Sequence, residues 1–219
     1  MHIRVDSAVT GRRVVMAIKT CLFDMGNVLL YFSHDTMCRN AAAVSGASED
    51  RVRDVLLNSG LQWQLERGEI SEREFHEGFE RQLEATVEFD ALKYAVGDIF
   101  RLNQSIVPLL AELKQLGLRL VLLSNTSITH LQFIQDNFDV LNAFDALTTS
   151  YQAGVLKPES KIYEDALSKA DCAPHECFYT DDIEEYVTAA RNFGINAEVY
   201  SDTSKTRTVL QALGVIVSS

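Results

Sequence analysis

The chain has 219 residues, 47% of them apolar and 23% charged, the balance of an ordinary soluble globular protein with room for one large domain or a domain carrying an insertion. A formal net charge of −11 argues against nucleic acid or an anionic membrane as the main partner, because either would reward a basic face. No apolar run is long enough to span a bilayer, no secretory apolar core lies near the start, and Cys21, Cys38, Cys172 and Cys177 lack the close spacing of a zinc site, which together point to free thiols in a reducing cytoplasm.

Residues 1–15 contain Arg12-Arg13 but no amphipathic pattern, and read as a tail; Met16 can open a domain by itself. From Ile18 to Phe23 a short apolar run rich in strand formers stops at Asp24 and turns on Gly26. A buried parallel strand reads like this, and its carboxyl end is where open α/β sheets place ligands. An aspartate before Gly26 and Asn27 is equally good turn chemistry. The next seventy or so residues read as helices: 34–44, 48–58, 61–67, 71–83 and 90–102. Ser71 with Glu74 fits a capping box, Phe75, Phe79 and Leu83 recur on one face, and Gly46, Gly60 and Gly68 supply helix-end signals.

From Ser105 helices alternate with short apolar strands. Helices are expected over 105–115, 128–138, 183–192 and 204–213, and strands over 118–123, 143–148, 177–180 and 196–200. A further helix follows Lys157-Pro158, with Pro158 in its first turn and Ile162, Ala166 and Ala170 on one face. Such alternation implies a mainly parallel sheet covered on both faces.

Four apolar runs end in residues suited to phosphate or metal chemistry: Asp24 after the first strand, Ser124-Asn125 after Leu123, Lys157 after Leu156, and Asp181-Asp182 after Thr180. Taken singly, each has a plainer reading. Ser124-Asn125-Thr126 is good helix-entry chemistry, Lys157 could be a solvated lysine, and Asp181-Asp182 with Glu185 could cap a helix. Lys157 stands directly before a proline, which disfavours helix and holds it in extended backbone.

Taken in order, the set resembles the four motifs of the haloacid dehalogenase (HAD) superfamily, most of whose members are magnesium-dependent phosphatases. The likeness runs from Ile18 to about Ser201. It is most similar to the branch that includes the sugar-1-phosphate phosphatases, whose first motif also reads Phe-Asp-Xaa-Gly-Asn-Val and in which a Glu-Arg-Gly-Glu-Ile-Ser run like residues 66–71 recurs. The resemblance implies a Rossmann-like, mostly parallel three-layer α/β/α core built from residues 16–32 and 104–219, with residues 33–103 inserted as an α-helical cap over the catalytic loop. Helices packed beside the sheet without covering the site are the alternative.

The resemblance also implies roles. Asp24 would be the nucleophile that forms an aspartyl-phosphate, Ser124 and Asn125 would hold a phosphate oxygen, and Lys157 would bind both Asp24 and the transferring phosphoryl group. Mg²⁺ would be held by Asp24, the carbonyl of Gly26 and the carboxylate of Asp182, with Asp181 beside it. The substrate would be a small phosphorylated metabolite. Two departures stand out: Gly26 occupies a position where most phosphatases of the superfamily carry an acid/base aspartate, and Tyr186 stands where an Asp or Asn is frequent, with Glu185 before it. A sugar-1-phosphate leaves as a relatively acidic hemiacetal hydroxyl and so suits a site without a strong acid. A 2-haloacid dehalogenase shares the nucleophile, Ser/Asn and Lys but needs no metal, and Asp181-Asp182 would then crowd negative charge without a cation. A non-catalytic phosphate sensor or scaffold, lacking turnover because of Gly26, is a third reading. Trp63, Glu66, Arg67 and His76 are the cap residues with chemistry suited to substrate contact.

Overall fold

The computed structural model describes residues 18–218; the expected tail, residues 1–15, lies outside the described residues. Strand β1 (Thr20–Phe23) is followed by β2 (Leu30–Phe32) and then by helices α1 (His34–Ser45), α2 (Glu49–Arg53), α3 (Leu61–Glu66), α4 (Glu72–Leu83) and α5 (Phe89–Gly97). A π-helical turn, Asp54–Asn58, continues α2. Strand β3 (Phe100–Leu102) leads into α6 (Ile106–Gln115), β4 (Arg119–Ser124), α7 (Ile128–Asn137), β5 (Ala146–Thr149), α8 (Ser150–Ala153) and α9 (Ser160–Ala170). Strand β6 (Cys177–Asp181), α10 (Glu184–Asn192), β7 (Asn196–Val199) and α11 (Thr203–Ala212) complete the chain.

The main sheet has five strands, all parallel, in the order β5-β4-β1-β6-β7. Successive side chains of a strand point to opposite faces, and the core divides accordingly. Cys21, Phe23, Leu120, Leu122 and Phe178 face one layer with Leu109 and Leu113 of α6, Ile134 of α7 and Leu210 of α11. Leu22, Val121, Leu123 and Tyr179 face the other, with Ile162, Tyr163 and Ala166 of α9 and Ala190 of α10. This is the expected three-layer α/β/α architecture, and each wholly buried Leu or Phe in it contributes about 1.5–3 kcal/mol. Because strand order runs outward from β1 in both directions, the crevice at the carboxyl ends of β1, β4 and β6 is the natural ligand position.

Helices α1–α5 pack around a core of their own, centred on Met37, Leu56, Leu65, Phe79 and Leu92. The Ser71–Glu74 capping box forms as the sequence predicts. Two expectations are corrected. Residues 90–102 are not one helix: α5 ends at Gly97 and Phe100–Leu102 is strand, pairing antiparallel with Leu30–Phe32. Pro158 does not lie in the first turn of α9; it precedes the N-cap Glu159, and the Lys157–Pro158 peptide is cis. The plainer reading of Asp181-Asp182 as a helix cap does not form: the N-cap of α10 is Ile183, without a side-chain bond. All four cysteines carry free thiols, and no helix among the described residues is long and apolar enough to cross a membrane.

Candidate active site

Asp24 directly follows β1, and its N–H continues the ladder by donating to the carbonyl of Thr180 at 3.0 Å. The loop then folds back tightly: the N–H groups of Leu29 and Leu30 both donate to the Met25 carbonyl, and Asn27 takes the left-handed conformation at φ 55°. That turn lets Asn27 Nδ2 donate to Asp182 Oδ2 at 2.9 Å, tying the β1 loop to the β6 loop. The sheet core thereby fixes Asp24 and orients Asp182 from a neighbouring strand.

Lys157 arrives from the segment before α9 and is 3% exposed. Its Nζ donates to Asp24 Oδ1 at 2.7 Å and to Asp181 Oδ2 at 2.5 Å, and lies 3.2 Å from the carbonyl of Leu123 and from the Tyr179 hydroxyl. Tyr179 also donates to Asp181 Oδ2, and the Tyr186 ring lies 5.0 Å from the ammonium. Burial acts to lower the Lys157 ammonium, but Asp24 and Asp181 outweigh it and hold it above the ordinary lysine value. For Asp24 burial dominates and pushes the carboxyl up against the pull of Lys157, with Asp181 adding to the rise. Two carboxylates sharing one ammonium in a dry pocket leave negative charge unmatched, which attracts a further cation.

Asn125 holds Lys157 from behind. Its Oδ1 accepts from the Lys157 N–H at 2.7 Å, and its Nδ2 donates to the Lys157 carbonyl at 3.3 Å and to the Tyr186 hydroxyl at 3.4 Å. Ser124 is wholly buried at the end of β4, with its hydroxyl 3.3 Å from the Asn125 carbonyl.

Asp24, Asp181 and Asp182 each offer a carboxylate oxygen, and these oxygens lie within 4.8 Å of one another. Asp181 is fully engaged: Oδ2 by Lys157 and Tyr179, Oδ1 by the Ile183 N–H. Asp24, Gly26 and Asp182 line the cavity, and Asp181 does not. An all-oxygen set with unmatched negative charge fits a small hard dication such as Mg²⁺.

The cavity holds about 210 Å³. It is lined by the strand-end cluster of Asp24, Gly26, Asn125, Lys157 and Asp182, by His34, Trp63 and Glu66 from the helical segment, and by Phe32 and Phe100 from the β2–β3 pair. Of the four residues singled out in that segment by sequence, Trp63 and Glu66 reach the cavity. Arg67 instead pairs with Glu159 at 2.7 Å, and His76 bonds the Val87 carbonyl at 2.7 Å. Phe32 was not foreseen. A Cβ at Gly26 would meet its Cε1 at 2.8 Å, so an aromatic ring fills the space an acid side chain at position 26 would need.

A family model described as haloacid dehalogenase-like hydrolase matches residues 18–194. Among solved structures the chain is similar to a HAD family enzyme from Bacteroides thetaiotaomicron, at 25% identity and a TM-score of 0.78 over 87% of this chain and 98% of that one. The same enzyme in complex with magnesium and inorganic phosphate matches at 24% identity and a TM-score of 0.78, covering 87% and 99%. L-2-haloacid dehalogenase from Xanthobacter autotrophicus, with chloropropionic acid covalently bound, matches at 19% identity and a TM-score of 0.61, covering 89% and 83%.

Proposed function

The chain belongs to the haloacid dehalogenase-like hydrolases, and on that premise we propose that it is a Mg²⁺-dependent phosphatase acting on a small phosphorylated metabolite, a sugar phosphate being the class that suits the site best. The observation that carries this reading is the buried Asp24–Lys157–Asp181 cluster with Asp182 beside it at the cavity. A dehalogenase needs the nucleophile and the lysine but has no use for a second cavity-lining carboxylate, which would repel an anionic substrate unless a cation were bound.

Phosphate esters resist attack because the nucleophile meets an anion and an alkoxide must leave. Asp24 supplies the nucleophile: its carboxylate bonds to phosphorus as the ester oxygen departs, and water then cleaves the aspartyl-phosphate. Lys157 holds Asp24 in place and presents positive charge to the transferring group, and Asn125 fixes the backbone on which Lys157 stands. Ser124, expected from the sequence to hold a phosphate oxygen, does not line the cavity; the residues after β4 that do are Asn125 and Thr126, and that contact would fall to them. Asp24, the carbonyl of Gly26 and Asp182 would hold Mg²⁺, which would supply charge neutralisation for the carboxylate and the phosphate. Residues 33–103 act as the cap, excluding water from above and meeting the organic part of the substrate with Trp63. A hemiacetal leaving group needs little protonation, which accords with glycine at position 26 and with the sugar-1-phosphate branch.

The test is release of inorganic phosphate from a panel of phosphorylated metabolites, with and without Mg²⁺, beside chloride release from 2-chloropropionate. Phosphate release that needs Mg²⁺ and disappears in Asp24→Asn is expected. Chloride release insensitive to chelator would replace this reading with the dehalogenase; tight binding of phosphate and metal without turnover would replace it with the sensor.

A further inference from the structure

Position 26 carries no side chain, and the Phe32 ring stands 2.8 Å from where a Cβ would be. For a leaving group poorer than a hemiacetal hydroxyl, an acid has to come from elsewhere in the cavity. Apart from the strand-end cluster, the titratable groups lining it are His34, Glu66, His130 and Tyr186. His130 is buried, burial keeps its imidazole neutral with a value near 4, and its Nε2 is bonded to the Val96 carbonyl at 3.2 Å. Burial likewise lowers His34, which sits edge-on to the Phe32 and Trp63 rings. Burial raises the phenol of Tyr186 above its ordinary value, and its hydroxyl already takes the Asn125 amide proton. None of the three is a good proton donor near neutral pH.

Glu66 differs. It is 7% exposed, its Oε1 accepts from Gln62 Nε2 at 3.0 Å, and it lines the same cavity as the strand-end cluster, contributed by the helical segment. Burial, opposed by the Gln62 bond, pushes its carboxyl up to about 7. Its position is fixed by backbone: the Glu66 carbonyl accepts from Ser150 Oγ at 2.6 Å, the same Oγ lies 3.1 Å from the Thr126 carbonyl, and a Cβ on Gly68 would stand 2.2 Å from the Tyr151 carbonyl oxygen. The backbone that carries Glu66 is thus seated directly on the sheet core.

We propose that Glu66 is the acid/base catalyst of the hydrolysis, protonating the leaving oxygen and then deprotonating the attacking water in the cavity that it lines with Asp24. This rests on the phosphatase reading. In the first half-reaction Glu66 passes its proton to the ester oxygen as the P–O bond to that oxygen breaks, the electron pair staying on the oxygen, and a bond forms from Asp24 Oδ to phosphorus. In the second, the Glu66 carboxylate takes a proton from water while the water oxygen bonds to phosphorus; the bond to Asp24 breaks and its electron pair returns to the Asp24 carboxylate. Glu66 ends protonated, ready for the next cycle.

General acid help matters most for poor leaving groups, so the test compares p-nitrophenyl phosphate with a simple alkyl phosphate in the presence of Mg²⁺. Glu66→Gln keeps the volume and the Gln62 hydrogen bond and removes the proton. Its kcat/KM for the alkyl ester is expected to fall on the order of 10²-fold, at least about tenfold more than for the aryl ester. In Glu66→Ala, acetate entering the vacated space should restore alkyl ester turnover specifically. Equal losses on both esters, with no rescue by acetate, would overturn the assignment and leave Glu66 a packing residue. A parent protein that cleaves neither ester would instead fail the phosphatase reading, and this assignment with it.

Discussion

Burial of Glu66 has a consequence for stability that needs no substrate. Its carboxyl is held at about 7 against an ordinary value of 4.5, so between those values the folded protein binds a proton that the unfolded chain has released. Folding is thus undisturbed by this group below about pH 4.5, loses stability as pH rises from there to about 7, and loses no more above it. One pK unit corresponds to about 1.36 kcal/mol, and the difference of some 2.5 units costs about 3 kcal/mol at about pH 8 but less than about 1 kcal/mol at about pH 5. Glu66→Gln abolishes the titration while keeping the bond to Gln62, so the variant should be more stable than the parent by a margin that grows by about 2–3 kcal/mol over that range. Urea unfolding of both proteins at several pH values, without metal or phosphate, measures the margin directly. A margin independent of pH would refute the reasoning and mean that Glu66 is ionised and solvated in the folded protein.

Lys157→Ala leaves Asp24 and Asp181 buried without their ammonium, so it should abolish turnover and destabilise the fold by about 3–5 kcal/mol; adding Asp181→Asn should recover part of that loss in urea unfolding, and no recovery would argue against a shared cation. Gly26 lies outside the left-handed region, and the three atoms nearest a Cβ there all belong to the Phe32 ring. Gly26→Asp together with Phe32→Ala should restore alkyl phosphate hydrolysis to the Glu66→Gln protein, whereas Gly26→Asp by itself should not, as steady-state kinetics will show. Gly68→Ala drives a Cβ into the Tyr151 carbonyl at a residue with φ of 68°, and should cost about 2–4 kcal/mol, read as a fall of roughly 5–15 °C in melting temperature; an unchanged melting temperature would mean that the helical segment is not seated on α8.

The three central strands were legible because a doubly buried strand writes itself as a short apolar run, and at Phe23, Leu123 and Thr180 each run stops at a residue of another character. Ser71 and Glu74 announced a helix start by local chemistry, and local chemistry formed it. The pair β2 and β3 was not legible: three residues each, they become strands only by pairing across the whole helical segment, and Phe100–Leu102 continues a helical pattern when read locally. At the site, the sequence named Asp24, Lys157, Asp181 and Asp182, which the fold does gather. It did not reveal that Asn125 would clasp the backbone of Lys157 or that Phe32 would stand over Gly26, since both follow from loop paths. Tyr179 could have been found, because residues two apart on a strand share a face, and Tyr179 bonds Asp181 in that way.

The helical segment joins the sheet core through two chain crossings, and these crossings are the two strands of one ribbon, with Leu30 opposite Leu102, Tyr31 opposite Arg101 and Phe32 opposite Phe100. Zipped together, they form a single strap. Turning one strand of an antiparallel pair strains the register of the other, so the entry and the exit of the helical segment are held to each other where a lone linker would leave each free. Phe32 and Phe100, paired at one end of the strap, both line the cavity, so the ring that stands over Gly26 is set by backbone pairing with a residue sixty-eight positions further along the chain.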